Sequence, residues 1–315
     1  EGSYSDGRHP DSVAFVPDVR EDLARRDFTI NAMAYSAEEG LCDPFGGQED
    51  LARGVVRAVG EPLRRFEEDA LRILRLYRFA ARFGFVIDEA TEAAAKQLAA
   101  HLDCVSVERI EEELDKLLSA PKPGAYLEPE VLAFVLPELP PDDLSEAREI
   151  IDALPAGGEE VATRWAALLL PLGEDGTRKA LKRLKCSNVV IDGVSTLVKE
   201  KAPRTPALPL QAKRLLGKYD LHTVQQLTAL WGALRPKRKD EFTALQKEAE
   251  TLTAQNACCR VSQLAVNGRD LMAAGVAPGP GLRRALEALL EEVITGRLPN
   301  EKAELLVFAA KFSAA

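Results

Sequence analysis

Arg72, Arg75, Arg78 and Arg82 recur through RRFEEDALRILRLYRFAARFGF, residues 64–85, and they are the residues here best suited to bind anions. At roughly 100° per residue they fall on one side of a helix, while Ile73, Leu74, Leu76, Tyr77, Ala80 and Phe83 share the other. Only Arg72 has an acid four positions earlier, Glu68. Like charges at that spacing repel by a few tenths of a kcal/mol, so helix stability alone gives little reason for the stripe. The spacing suits a helix that meets phosphates or nucleotide edges. The plainer reading is an amphipathic face whose carboxylate partners come from elsewhere in the chain.

Asp69 and Arg72, three residues apart, read as a fixed acceptor and donor pair on that helix. A carboxylate accepts from an exocyclic amine, and a guanidinium donates to a ring nitrogen or carbonyl oxygen. Cytosine and adenine both present an amino group beside a ring acceptor, so one such pair reads both. An i,i+3 ion pair is the alternative. RRDFTIN, residues 25–31, places two arginines and an acid where charge gives way to an apolar strand. Arginines at a strand end can clamp a triphosphate bidentately. Here the alternative is a salt bridge from Arg25 or Arg26 to Glu21 or Asp22. Two-metal nucleotidyl transfer takes paired carboxylates. Asp6, Asp11 and Asp18 are too widely spaced to be argued as a pair, and the acids at 67–69 belong to the helix. Glu1 stands as a single candidate metal carboxylate.

The elements that must position these groups begin with short β-like runs at 12–16, 30–35 and 55–59 around a turn at DPFGG, residues 43–47. After Gly60 the chain reads as helices, with Asp88 and Ser106 as N-caps. Pro- and acid-rich sequence follows over residues 121–160, and a second boundary stands at EKAPRTPALP, residues 200–209. A chain of 315 residues with 46% hydrophobic and 29% charged content can bury a real core. Its formal charge of -9 argues against a cationic coat, yet residues 178–260 hold 17 Lys and Arg against 7 Asp and Glu. A local balance of that sign suits phosphate binding, or a solvated surface. Five scattered cysteines and three separated histidines argue against a zinc site or a disulfide framework. No apolar run approaches a membrane span and there is no signal peptide, so a cytoplasmic protein is expected.

The ordered set EGSYSDGRHPDSVAFV, EDLARRDFTINAMAY, DPFGGQEDLARGVVRAVG, RRFEEDALRILRLYRFAARFGF and SVERIEEELDKLL, with the segment 267–305, resembles the class II tRNA nucleotidyltransferase and poly(A) polymerase family. Bacterial CCA-adding enzymes are among its members. The resemblance implies an α+β fold: a partial nucleotidyltransferase head of the polymerase-beta type over residues 1–60, then a largely all-helical remainder. That remainder divides into a neck with the nucleotide-reading helix over 61–122, a body over 123–205 and a tRNA-binding tail over 206–315. It implies that Arg26 contacts the incoming nucleotide, that Asp69 and Arg72 read the base, and that Arg75 and Arg78 line the site. Arg8, His9, Asp27 and Asn31 stand as secondary contacts. The implied partners are CTP, ATP and a tRNA lacking its 3′ CCA, with Mg²⁺ as cofactor. The family begins with a Gly-rich GGxVRD stretch and a DxD pair that carries the metals, and both are expected upstream of residue 1. The chain as written is therefore expected to lack the catalytic carboxylates and not to transfer nucleotides alone. Addition of CC only, of A only or of poly(A) stays open, as does a non-catalytic RNA-binding fragment.

Overall fold

The computed structural model describes residues 18–140, 144–204 and 208–312. The chain forms two compact units, divided between Ser195 and Thr196.

The first unit opens on helix α1, Val19–Ala24, whose N-cap Asp18 accepts from the Arg20 amide at 2.8 Å. Residues 25–33 then turn instead of running on as a strand. Thr29–Asn31 is a single 3₁₀ turn, and the expected strand over 30–35 shortens to β1, Ala34–Ser36. The cause is local. The Asn31 amide donates to the Phe28 carbonyl, and the Thr29 hydroxyl is held by Asp50 at 2.7 Å, so the backbone is already satisfied in the turn. β1 pairs antiparallel with β2, Gly40–Cys42, with Tyr35 opposite Leu41. Helix α2, Gly47–Arg53, follows, capped by both Asp43 carboxylate oxygens on the Gly47 and Gln48 amides. Gly47 is where α2 meets the 25–31 segment: a Cβ there would lie 2.2 Å from the Thr29 carbonyl oxygen. A side chain at this position would push that segment away.

β3, Val55–Val56, pairs parallel with β4, Val86–Ile87. Between them run α3, Pro62–Glu68, and α4, Leu71–Phe83, the long crossover that parallel strands require. Residues 64–85 are therefore not one helix. Asp69 is extended at φ -155° and ψ 102°, and its Oδ1 accepts from the Leu71 amide at 3.1 Å. Aspartate competes with the helix backbone for its own hydrogen bonds, which favours it at ends over interiors. Along α4, Ile73, Leu74, Leu76, Tyr77 and Ala80 are buried as the wheel predicts. Each large apolar side chain so buried stabilises the fold by about 1.5–3 kcal/mol. Phe83 is the exception. It is 45% exposed, stacked at 6.1 Å on Phe79 and at 5.4 Å from Phe85. Gly84, at φ 67°, ends the helix and lets the Phe85 amide reach the Ala80 carbonyl.

After α5, Glu89–Gln97, comes α6, Val107–Leu118, which packs along α4 and has Leu114, Leu117 and Leu118 buried. The unit continues through α7, Pro129–Val135, α8, Leu144–Ala153, α9, Val161–Leu169, α10, Gly173–Arg183, and α11, Asn188–Lys199, within which the division falls. Arg164 of α9 is fully buried and donates to the carbonyls of Leu118, Ala120 and Leu154. Burial holds its pKa down. It supplies donors to the carbonyls at the end of α6, and Trp165 beside it donates from Nε1 to Asp115 at 2.5 Å. The helix that faces α4 is thus fixed from behind.

In the second unit α12, Leu210–Lys218, α13, Leu221–Leu234, and α14, Lys239–Ala254, pack on one another, with Trp231 5.8 Å from Phe242. α15, Gly268–Ala273, α16, Pro280–Ile294, and α17, Lys302–Ala309, share a core around Leu271, Ala285, Leu289 and Leu305. No helix of the described residues is long and apolar enough to cross a membrane.

Candidate nucleotide site

The arginines of the 25–31 segment are held at the end of α1. Arg25 donates from Nε to Asp22 at 2.8 Å and Arg26 from Nη2 at 2.9 Å. Those hydrogen bonds, Arg26 first and then Arg25, keep the Asp22 carboxyl below the usual carboxylate range. The salt-bridge alternative at this segment is what the structure contains. Arg26 nonetheless keeps 54% of its side chain exposed, at the mouth of a cavity.

Asp27 is 7% exposed and central. Its Oδ1 accepts from the Phe28 amide at 3.0 Å and from Asn31 Nδ2 at 3.3 Å. Its Oδ2 takes Arg75 Nε at 2.8 Å and Nη2 at 2.5 Å. Arg72, Arg75 and Arg78 of α4 are therefore each compensated by a carboxylate. Their partners lie on other elements, beyond the reach of a helical wheel. Arg72 donates to Glu68 at 2.9 Å and to the carbonyls of Arg65 and Arg25, both at 3.0 Å. Arg78 is buried and lies 2.6 Å from Glu113 of α6, with no aligned hydrogen bond at Arg78 Nε or Glu113 Oε2, so the contact is an ion pair. Its guanidinium also sits 3.9 Å over the Phe79 ring. Arg82 is exposed on the last turn.

The turn at residues 25–31, the break at Asp69 and the first turns of α4 enclose a cavity of about 520 Å³. It brings together Arg26, Asp27, Asn31, Asp69, Arg72 and Arg75. Arg78 does not reach it. Glu113 holds Arg78 one turn further on, where it lines a separate cavity with Arg82 and Lys116. Nor do Asp69 and Arg72 form the i,i+3 ion pair that is the alternative reading of their spacing. Asp69 sits in the break between helices and pairs at 2.9 Å with Arg109, in the first turn of α6. Arg109 also lines the cavity and is a residue the sequence reading missed. Its signal was an arginine three residues after the N-cap Ser106, on the turn that normally favours acids.

The pair retains capacity to bind. Of the five N–H donors of a guanidinium, Arg72 commits three to protein acceptors among the described residues. A carboxylate has about four lone-pair sites, and Asp69 uses one for Leu71 and one for Arg109. Donor and acceptor therefore face the cavity with unspent capacity, each fixed by its protein bonds. Glu1, Arg8 and His9 lie outside the described residues. Among those described, no group of three or more His, Cys, Asp and Glu is placed to hold a metal ion.

A small mixed α/β head that meets an arginine-walled helix, continued predominantly by helices, is the architecture of a nucleotidyltransferase of the poly(A) polymerase type. Family models agree along the chain. The poly A polymerase head domain matches residues 1–57, the probable RNA and SrmB-binding site of polymerase A matches 84–140, and the putative tRNA nucleotidyltransferase domain 2 matches 158–309. The CCA-adding enzyme of Limosilactobacillus fermentum is 36% identical over 99% of this chain and 76% of its own length. That of Geobacillus stearothermophilus is 34% identical over 96% and 74%. The crystal structure of the Bacillus stearothermophilus CCA-adding enzyme in complex with CTP superposes with a TM-score of 0.76 at 30% identity, covering 95% of this chain and 75% of that one. The Thermotoga maritima CCA-adding enzyme complexed with tRNA shares the fold, with a TM-score of 0.67 at 24% identity. This chain belongs to the CCA-adding enzyme family and spans about three quarters of the length of these relatives.

Proposed function

We propose that the protein adds CMP and AMP, from CTP and ATP, to the 3′ end of tRNA, reading the base with side chains in place of a nucleic-acid template. The observation that carries this reading is the convergence of Arg26, Asp69, Arg72 and Arg75 on one cavity. The 36% identity to a CCA-adding enzyme and the likeness to one complexed with CTP support it. Asp69 accepts the exocyclic amino proton of cytosine or adenine, and Arg72 donates to the adjacent ring acceptor. Uracil and guanine place a carbonyl oxygen where that amino group stands, and the carboxylate repels it. Arg26 and Arg75 face the triphosphate, with Asp27, itself held by the Asn31 side-chain amide, fixing the Arg75 guanidinium. Arg78 supports this wall through Glu113 instead of touching the nucleotide. The primer 3′-hydroxyl attacks the α-phosphate, and pyrophosphate leaves.

The family's chemistry at the α-phosphate uses Mg²⁺. The described residues do not assemble a donor set for that ion. The residues named here act on the base and on triphosphate charge. The head over 1–60, the neck over 61–122, the body over 123–205 and the tail over 206–315 are the proposed divisions, with the cationic stretch 178–260 holding RNA phosphates.

Two measurements test this reading: nucleotide binding by the chain, and product analysis on a tRNA ending at the discriminator base. CTP and ATP are expected to bind the chain and UTP to bind poorly, and a protein that also carries the family's metal-binding carboxylates is expected to add CC from CTP alone and CCA from both nucleotides. Products ending at CC, a single added A, or ATP-only tailing of unrelated RNA ends would each replace CCA addition by the corresponding relative's reaction. Binding of neither CTP nor ATP would overturn the site.

A further inference from the structure

Arg109 occupies a position that its own helix disfavours. Ser106 is the N-cap of α6, yet its side chain caps nothing, and three residues on, where a capping box would hold Glu or Gln, stands an arginine. A cation in the first turn also opposes the helix dipole, at about 0.3–1 kcal/mol. The ion pair made in return, Arg109 Nη2 to Asp69 Oδ2 at 2.9 Å, joins side chains 46% and 33% exposed. Pairs that exposed contribute about 0–1 kcal/mol. Gain and loss are of similar size, so stability does not explain the residue.

The geometry of the pair does. Asp69 sits outside regular helix, so no helical turn fixes its carboxylate. Two contacts do so: the Leu71 amide on Oδ1 at 3.1 Å and Arg109 on Oδ2. The neighbouring Glu108 turns away to Lys185 at 2.6 Å, leaving Arg109 as the α6 side chain that reaches Asp69. Asp69 and Arg109 line the nucleotide cavity and also a second cavity of about 480 Å³ that contains His101 and Cys104. The Asp69 carboxylate thus borders both cavities, and without Arg109 the Leu71 amide would be its one remaining hydrogen-bond partner among the described residues.

We infer that Arg109 is a positioning residue for base selection: it clamps the Asp69 carboxylate in the plane where it accepts an amino proton from the incoming base. The inference rests on the nucleotide-site reading above. It assigns to Arg109 no contact with substrate, only the orientation of the residue that makes one. Its loss lowers discrimination between amino and keto bases while the charge that attracts the triphosphate, on Arg26 and Arg75, stays in place.

The test is equilibrium competition of CTP against UTP and of ATP against GTP on the wild-type chain, Arg109→Ala, Arg109→Lys, Asp69→Asn and the double variant Asp69→Asn/Arg109→Ala. Arg109→Ala is expected to cut the CTP/UTP and ATP/GTP ratios by about tenfold, the size of one charge-assisted hydrogen bond misplaced. UTP affinity should fall far less than CTP affinity. Arg109→Lys should restore part of the ratio. In the Asp69→Asn background, removing Arg109 should change the ratio no further. A merely structural role would lower thermal stability and weaken all four nucleotides alike. An unchanged ratio in Arg109→Ala, or an effect undiminished in the Asp69→Asn background, overturns the inference. Should Arg109→Ala fail to fold, Arg109→Gln carries the same comparison. A wild-type chain that binds none of the four nucleotides overturns the site reading itself, whereas a wild-type chain that discriminates while Arg109→Ala discriminates equally overturns this inference alone.

Discussion

The two units carry positive charge in different ways. On α4 each of Arg72, Arg75 and Arg78 is tied to a carboxylate, to Glu68, Asp27 and Glu113 respectively. Around the junction of α13 and α14 in the second unit, Lys237, Lys239 and Lys247 are exposed on the surface. Even there the arginine behaves differently from the lysines: Arg238 donates to Glu241 at 2.9 Å and to the Pro203 carbonyl and lies 5.0 Å over the Phe242 ring. Planar guanidinium held at two edges presents its remaining donors in one direction, which suits reading a base or an oxygen pair. Exposed ammonium groups supply field without direction, which suits a phosphate backbone. The first arrangement suits selection, and the second suits attraction.

Breaking the first arrangement should cost most. Glu113→Ala leaves the buried Arg78 without its counter-ion, and removing one member of a buried pair costs about 3–5 kcal/mol. Urea unfolding should show that loss; a change below about 1 kcal/mol, as for an exposed pair, would mean that Arg78 finds water or another acceptor. Asp115, on the same helix, gives a smaller effect with a defined pH dependence. Burial raises its carboxyl pKa, and the Trp165 N–H only partly opposes this. A folded value above the unfolded one means that the fold holds the proton more tightly and loses stability as pH rises through both values. Asp115→Asn should therefore stabilise modestly at pH 7, with the gain vanishing toward about pH 3. A pH-independent difference would contradict that account. The smallest effect is expected in the second unit. Lys237→Ala with Lys239→Ala should weaken tRNA binding about equally across sequences and flatten its salt dependence, by about one unit of slope for each phosphate no longer neutralised. A slope identical to wild type would remove these lysines from the RNA surface.

Much of this was legible in the chain, and what was not has identifiable causes. The α+β head with a helical remainder, the buried face of α4 and the family followed from motif order and from a 3.6-residue period. Arg26, Asp69, Arg72 and Arg75 line one cavity, whereas Arg78, grouped with them in the sequence, lines another. The break at Asp69 was hidden because a helical wheel assumes a continuous helix, although an aspartate at the junction was itself a warning. Asp27 and Glu113 were missed as partners of the arginine stripe because Asp27 lies 48 residues before Arg75 and Glu113 on the next long helix. Periodicity carries no information about such pairs. Arg78 shared the helix face of Arg75 by sequence, and only the packing of α6 separates their roles. Phe83 followed the apolar period but lies where the cover over α4 ends.

The most direct test of the account is base discrimination in Arg72→Ala compared with Lys239→Ala, read as the ratio of CTP to UTP affinity. Directional reading at α4 predicts that Arg72→Ala lowers the ratio by about 1–3 kcal/mol, roughly 5- to 150-fold, the worth of one base contact, while Lys239→Ala leaves it at the wild-type value. Equal ratios in the two variants would contradict the claim that Asp69 and Arg72 read the base.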